Sequence, residues 1–135
     1  MRDLAAQLTI RKVFPSDAHA WETLRSALWP DGTADHAVEI AKFFAGILEE
    51  PTAVLVAVDA FNKMVAFAEL SIRTDIPGLE AKQVGYIEGL YVTPEFRHKG
   101  IAKKLLGASR AWARQKNCTA FASDRAGRLI FDKRF

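Results

Sequence analysis

Apolar residues recur along the chain at two spacings, and the switches between them outline a fold. Leu8 and Ile10 alternate with Thr9, Arg11 and Lys12 as far as Phe14, the period of a half-buried strand. Ser16 and Asp17 are placed to cap a following helix with Trp21, Leu24 and Leu28 on one face, which Pro30 stops. A second helix is predicted from Asp35, with Ile40, Phe43, Phe44, Ile47 and Leu48 as its apolar stripe and Pro51 as its end. Residues 53–58 and 64–72 then read as strands joined by a hairpin connection through Asp59-Ala60-Phe61-Asn62-Lys63. Residues 73–83, with Pro77 and Gly78, are a loop, and 84–92 form a third strong strand closed by Thr93-Pro94. Residues 101–116 are helical with Ile101, Leu105, Ala108 and Trp112 on the buried side. Asn117 is a left-handed stop for that helix, and 120–123 are a short strand. The order β-α-α-β-β-β-α-β predicts an α/β (α+β) protein, a mixed sheet with helices.

Composition narrows this further. The 135 residues, 50% of them hydrophobic, suit a single domain over 1–135, and no repeat, linker or low-complexity tract divides it. The one cysteine, Cys118, excludes an internal disulfide and reads as a small core residue rather than a nucleophile. His19, His36 and His98 are scattered, no Cys/His spacing fits zinc, and no metal is expected. No apolar run is long enough to span a membrane and the N-terminus lacks a signal-peptide pattern, so a cytoplasmic protein with no membrane partner is expected.

Net charge is +3, but it is unevenly placed. Residues 1–96 hold 8 basic and 14 acidic side chains, whereas residues 97–135 hold 11 basic and 2 acidic. Residues 97–116 alone carry seven positive charges and no negative one. Such a split suggests one anionic and one cationic partner, or, more simply, a solvated basic helix.

One segment carries most of the chemical information. Leu90-Tyr91-Val92 runs through Thr93-Pro94-Glu95-Phe96 into Arg97-His98-Lys99-Gly100 and then opens a helix at Ile101-Ala102-Lys103-Lys104. The first turn of a helix has unpaired N–H groups and the positive end of the helix dipole, which suits a phosphate. Gly100 allows close approach of a ligand to the backbone, and Arg97, Lys99, Lys103 and Lys104 add charge around it.

The run Arg97-His98-Lys99-Gly100-Ile101-Ala102 resembles the Arg/Gln-x-x-Gly-x-Gly/Ala signature of the GCN5-related N-acetyltransferase (GNAT) superfamily, and it stands after a strand and opens a helix. Leu28-Trp29-Pro30-Asp31, the stretch from Phe67 to Asp75, Ile87-Glu88-Gly89-Leu90-Tyr91-Val92, Ala111-Trp112-Ala113-Arg114 and Ala122-Ser123-Asp124 further resemble the aminoglycoside 6′-N-acetyltransferases. The resemblance implies a GNAT fold with a mixed, mostly antiparallel sheet flanked by helices. It implies acetyl-coenzyme A as cosubstrate, with the backbone of His98, Lys99, Gly100, Ile101, Ala102 and Lys103 on its pyrophosphate. The main chain of Leu90, Tyr91 and Val92 would pair with the pantetheine arm, and an N–H near Leu90 or Val92 would polarise the acetyl carbonyl. The implied activity is transfer of acetyl to a primary amine of an aminoglycoside, conferring antibiotic resistance.

An aminoglycoside is a polycation at neutral pH, so its site should be rich in carboxylates. Residues 59–96 hold six acids against three bases, and Glu69, Asp75, Glu80, Glu88 and Asp124 are candidates. Asp31, Asp35 and Glu39 could join them from the N-terminal part. In the resembling enzymes the carboxylates matching Glu88 and Asp124 line the acceptor pocket and the Trp29 loop forms one wall. The expected acceptor-binding set is therefore Trp29, Asp31, Glu69, Asp75, Glu88 and Asp124. An ammonium must lose a proton before it can attack a thioester; Glu88 is the first candidate for that base, directly or through a water, and Asp124 the second. Both could instead only position the amine.

Two departures from the family are visible. After Asp124 only eleven residues follow, where members continue through a helix contacting coenzyme A and two final strands. Gly127 to Phe135 resembles the last of those strands with the helix missing, so a shortened C-terminal part and an open sheet edge are expected. Ile76 also stands where the family has an aromatic residue. An open edge invites pairing and dimers are common in the family, so a homodimer is expected. Alternatives are another amine acceptor, such as a polyamine or a peptide, or a coenzyme A binder with impaired catalysis. Nucleic acid is not expected as a partner, because Trp112 is the one aromatic residue of the basic stretch between 97 and 116, too little to support stacking on bases.

Overall fold

The computed structural model of the chain describes residues 7–31, 35–80, 82–125, 128–132 and 135. Six strands and three helices follow in the order β1 (Thr9–Lys12), α1 (Ala18–Leu28), α2 (His36–Phe44), β2 (Ala53–Val58), β3 (Met64–Arg73), β4 (Val84–Val92), α3 (Ile101–Gln115), β5 (Ala120–Arg125) and β6 (Arg128–Phe131). The strands form one sheet in sequence order, antiparallel throughout except where β4 and β5 run parallel. α3 supplies the crossover that a parallel pair requires.

The sheet is covered on both faces. On one, α3 lays Ile101, Leu105, Trp112 and Ala113 against Leu55, Ala57, Leu70 and Ile87. On the other, Trp21, Leu24 and Ile40 of α1 and α2 meet Val54, Val56 and Phe67, and Trp21 packs edge-on to Phe43 and Phe44. This double cover explains why β2 and β3 read as continuous apolar runs: every residue of β3 from Met64 to Ser71 is buried. A lone polar side chain in such a run therefore has to find a partner inside the protein.

Two local expectations are corrected, and a third is met. The stripe of the second helix was expected to continue through Ile47 and Leu48, but α2 ends at Phe44. Gly46 at φ 75° closes it in a left-handed turn, its N–H bonding to the Phe43 carbonyl and that of Ile47 to Lys42, which leaves Ile47 67% exposed. Asp17 was expected to cap α1, but no side-chain bond caps that helix. Its carboxylate instead accepts from the Phe14 N–H at 2.7 Å and from both terminal nitrogens of Arg11 at 2.7 and 3.1 Å. Asp35 does cap α2, accepting from the Val38 N–H. Finally, residues 128–131, in the stretch resembling the family's last strand, do form a strand, which folds straight back on β5 with Asp124 opposite Leu129. Gly127, Lys133 and Arg134 lie outside the described residues.

Candidate functional site

The sheet parts where β4 and β5 diverge. The two strands pair from Val84↔Ala120 to Ile87↔Ser123 and no further, so β4 from Glu88 to Val92 has a neighbour on one side only. Half of its main-chain groups there face the gap. The result is a cleft of about 770 Å³ lined by Glu88, Leu90, Lys103, Arg110, Asp124 and Phe131, among others. It brings together the two residues expected as base candidates, the start of α3 and the strand expected to pair with a ligand arm.

A β-bulge aims the central residue. Glu69 lies opposite Gly89 while Leu70 lies opposite Ile87, which leaves Glu88 as the extra residue of β4. The bulge lets Glu88 and Gly89 serve the same side of the sheet. Gly89 meets the Trp29 indole, where an added Cβ would come within 2.6 Å of two ring carbons. Glu88 turns onto Arg73, which donates from Nε to Oε1 at 2.7 Å and from a terminal nitrogen to Oε2 at 2.8 Å. Burial pushes the Glu88 carboxyl up from its ordinary pKa, and the bidentate Arg73 pair opposes that.

The basic loop is shaped by backbone conformation. His98 and Gly100 both adopt left-handed φ, 64° and 81°. An added Cβ on Gly100 would meet nothing within 4 Å, so conformation rather than space selects glycine there. The Lys104 N–H closes the first turn of α3 onto the Gly100 carbonyl, and the N–H groups of Ile101, Ala102 and Lys103 precede any intrahelical acceptor. His98, Lys99, Gly100, Ala102 and Lys103 are exposed, whereas the Ile101 side chain anchors the helix in the core. Arg97 ties the loop to β4: its Nε donates to the Val92 carbonyl at 2.9 Å and its guanidinium lies over Tyr91. Leu90 lines the cleft, while the side chains of Tyr91 and the buried Val92 do not.

The candidate carboxylates separate into distinct groups. Asp124, exposed at the end of β5, lies on the cleft with Glu88, and both push the buried Tyr86 hydroxyl up in pKa, after the effect of burial itself. Asp75 is 3.9 Å from the Arg73 guanidinium at the edge of this group. Asp31 is exposed beyond Trp29, outside the cleft. Glu69 is a correction. It is 2% exposed, and its carboxylate accepts from Arg25 Nε at 2.7 Å and Trp21 Nε1 at 3.1 Å, so it is the internal counter-charge of a buried arginine. Lying between Val54 and Gly89 on a strand covered on both faces, it has no route to a ligand. Glu39 is likewise held by Arg25, and Glu80 accepts from the Gly78 N–H.

Arg73 was missed as a site residue. Its signal was available: an arginine two residues after Ser71 and four after Glu69 shares their face of an otherwise apolar strand. The support of Trp29 was missed too. Arg25 stacks over the indole at 5.1 Å, and His36 joins Arg25 through Nδ1 at 2.9 Å and the Trp29 carbonyl through Nε2 at 3.2 Å. A guanidinium only donates, so Nδ1 accepts and Nε2 carries the proton. Ile76, standing where an aromatic was expected, is buried beside Val84 and Tyr86. Cys118 is buried and its thiol pushed up in pKa by that burial, as suits a core residue. No helix among the described residues is long and apolar enough to cross a membrane, and no three His, Cys, Asp or Glu among them cluster as metal ligands would.

The profile of the acetyltransferase (GNAT) family matches residues 18–129. The chain is 42% identical over 116 residues to the aminoglycoside N(6′)-acetyltransferase type 1 of Klebsiella aerogenes, covering 85% of this chain and 76% of the relative. It is 39% identical over 122 residues to the enzyme of that name from Stenotrophomonas maltophilia, covering 90% and 77%. Among solved structures it is similar to AAC(6′)-Iy in complex with the bisubstrate analogue CoA-S-monomethyl-acetylneamine. That match has a TM-score of 0.77, 30% identity, and coverage of 88% of this chain and 80% of the other. The 6′-N-acetyltransferase AAC(6′)-Ih from Acinetobacter baumannii matches with a TM-score of 0.74, 33% identity and coverage of 88% and 80%.

Proposed function

The chain belongs to the acetyltransferase (GNAT) family, and from that premise we propose that it transfers the acetyl group of acetyl-CoA to the 6′-amine of an aminoglycoside, a modification that confers resistance. The observation that carries this reading is the cleft between β4 and β5. It joins a helix start suited to phosphates with two carboxylates suited to a polycation, in a chain similar to a protein solved with an analogue linking both substrates.

Each part of the cleft has a role in this proposal. The N–H groups of His98 to Lys103 receive the pyrophosphate, and the open edge of Leu90, Tyr91 and Val92 pairs with the pantetheine arm. An N–H at Leu90 or Val92 stabilises charge developing on the acetyl oxygen. Acetyl-CoA supplies the acyl thioester. On the acceptor side, Glu88 takes a proton from the 6′-ammonium and Asp124 holds the sugar, with Trp29 as a wall and Asp75 and Asp31 drawing the polycation in. The free amine nitrogen then bonds to the carbonyl carbon as the carbon–sulfur bond breaks, and the thiolate leaves to take up a proton. The domain spans 1–135 and works in the cytoplasm, where acetyl-CoA is made and used. Ile130 and Phe131, 46% and 41% exposed on the edge strand β6, favour a homodimer through that edge.

The test is incubation with acetyl-CoA and a kanamycin-type aminoglycoside, following thiol release and a product heavier by one acetyl. Acetylated antibiotic is expected, with loss of turnover in Glu88→Gln. Thiol release with a polyamine or a peptide, and with no aminoglycoside, would overturn the acceptor assignment.

A further inference from the structure

Arg73 is the centre of an acidic group rather than one half of a pair. Besides its two bonds to Glu88, the guanidinium donates to Glu50 at 3.1 Å and stands 3.9 Å from Asp75, while its plane lies 4.8 Å from the Tyr86 ring. One cation thus serves three carboxylates, and the group keeps a net negative charge at the mouth of a site proposed to take a polycation. The groups facing Glu88 are Arg73 from β3, Glu50 from the segment before β2, Ser71 from β3, and Tyr86 from β4. Asp124 reaches the same region from β5. Ser71 Oγ is fully buried and has no partner within ordinary hydrogen-bond geometry, yet it is near enough to Glu88 to favour the ionised form.

We infer that Arg73 is a positioning residue: in the free protein its guanidinium occupies the place at Glu88 that the acceptor ammonium takes, and Glu50 and Asp75 hold the guanidinium once it is displaced. This rests on the acetylation reading above and names how its acceptor site is kept ready. A carboxylate with both oxygens bound to one guanidinium is fixed in orientation and kept ionised despite burial, but it has little capacity left to accept a proton. When an ammonium competes for one oxygen, the guanidinium has two further carboxylates within 4 Å, so a small rotation completes the exchange. Glu88 then faces the amine as an ionised base. Lysine at this position would keep the charge but not the two parallel bonds.

The experiment uses the whole chain as wild type, Arg73→Gln and Arg73→Lys, each checked for folding by circular dichroism and thermal melting. Carbon-13 NMR follows the Glu88 carboxyl, assigned by its absence in Glu88→Gln, as pH is varied without substrates. The pH profile of kanamycin acetylation follows the same group kinetically. Arg73→Gln is expected to move the Glu88 midpoint and the acid limb of kcat/KM upward together, by about one pH unit. It should lower kcat several-fold more than it raises KM. Arg73→Lys should restore most of the midpoint and only part of kcat. A folded Arg73→Gln whose Glu88 midpoint and acid limb match wild type overturns the inference, as does an equal rise in KM alone in both variants. A wild type that acetylates no aminoglycoside overturns the acceptor assignment and the proposed exchange with it, whereas an unmoved Glu88 in an active enzyme overturns the role of Arg73 alone.

Discussion

Truncating Glu69 should destabilise the protein more than changes at most exposed acids. Its carboxylate is 2% exposed and serves three donors: Arg25 Nε at 2.7 Å, an Arg25 terminal nitrogen at 3.4 Å and Trp21 Nε1 at 3.1 Å. In Glu69→Ala the indole N–H loses its acceptor, and a guanidinium that is 8% exposed keeps only the partners of its other terminal nitrogen, Glu39 and His36. Breaking a buried pair by removing one partner costs about 3–5 kcal/mol, and the surviving Glu39 contact places this case near the lower end, about 3 kcal/mol. A domain of this size has a total stability of about 7–20 kcal/mol, so the loss is a large share. With a urea slope of about 2 kcal/mol per molar, the midpoint should fall by about 1.5 M. Urea melts followed by tryptophan fluorescence measure this, and an unchanged slope shows that the native state was lost in the same way. The paired replacement Arg25→Met with Glu69→Met should recover much of the deficit, because it removes both charges together. A midpoint shift below about 0.3 M in Glu69→Ala, or a double variant no better than the single, would refute the view of Glu69 as a buried counter-charge.

Two glycines of β4 should respond differently to alanine. At Gly85 an added Cβ would come within 2.5 Å of the Ala113 Cβ, which is fixed to the α3 backbone, so the helix itself must shift; a loss of about 1–3 kcal/mol in thermal or urea melts is expected. At Gly89 the obstacle is the Trp29 ring, so Gly89→Ala should displace that wall and raise the aminoglycoside KM roughly ten-fold while leaving acetyl-CoA affinity unchanged by calorimetry. Equal effects on both substrates would count against Trp29 as an acceptor wall. Asp17 gives a pH prediction: its hydrogen bonds with Arg11 lower its folded pKa, against the opposing effect of burial. The stability it contributes is therefore present above the ordinary carboxylate range and lost as pH falls through the lowered folded value. Asp17→Asn should flatten the stability profile below about pH 4, and an acid-unfolding curve parallel to wild type would show that another group governs it. Replacing Asp35, whose side chain accepts from the Val38 N–H, with alanine should destabilise α2 by about 1 kcal/mol in the same melts.

Periodicity and turn chemistry alone determined the element order as far as β5, because each element is long enough to repeat its own spacing: the alternation before α1, the apolar runs of β2 to β4, the 3.6-residue stripe of α3 with Asn117 at its left-handed end; β6 was legible only through the family resemblance. The basic loop was legible for the same local reason, since a glycine between a strand and a helix start needs no distant partner to be recognised. What each charged residue does was decided only by tertiary structure. Glu69 and Glu88 are both acids on apolar strands, and composition treats them alike. A one-residue bulge turns Glu88 toward the Arg73 group and the cleft, while Glu69 lies beneath α1 against Arg25, which a helix 44 residues earlier delivers. Arg97 reads in the sequence only as charge beside the basic loop, and the fold gives it a second task, holding that loop to β4 through the Val92 carbonyl. A carboxylate's or guanidinium's role is set by its burial and its partner, and both depend on which strands and helices come together across the fold rather than on the residues beside it in the chain.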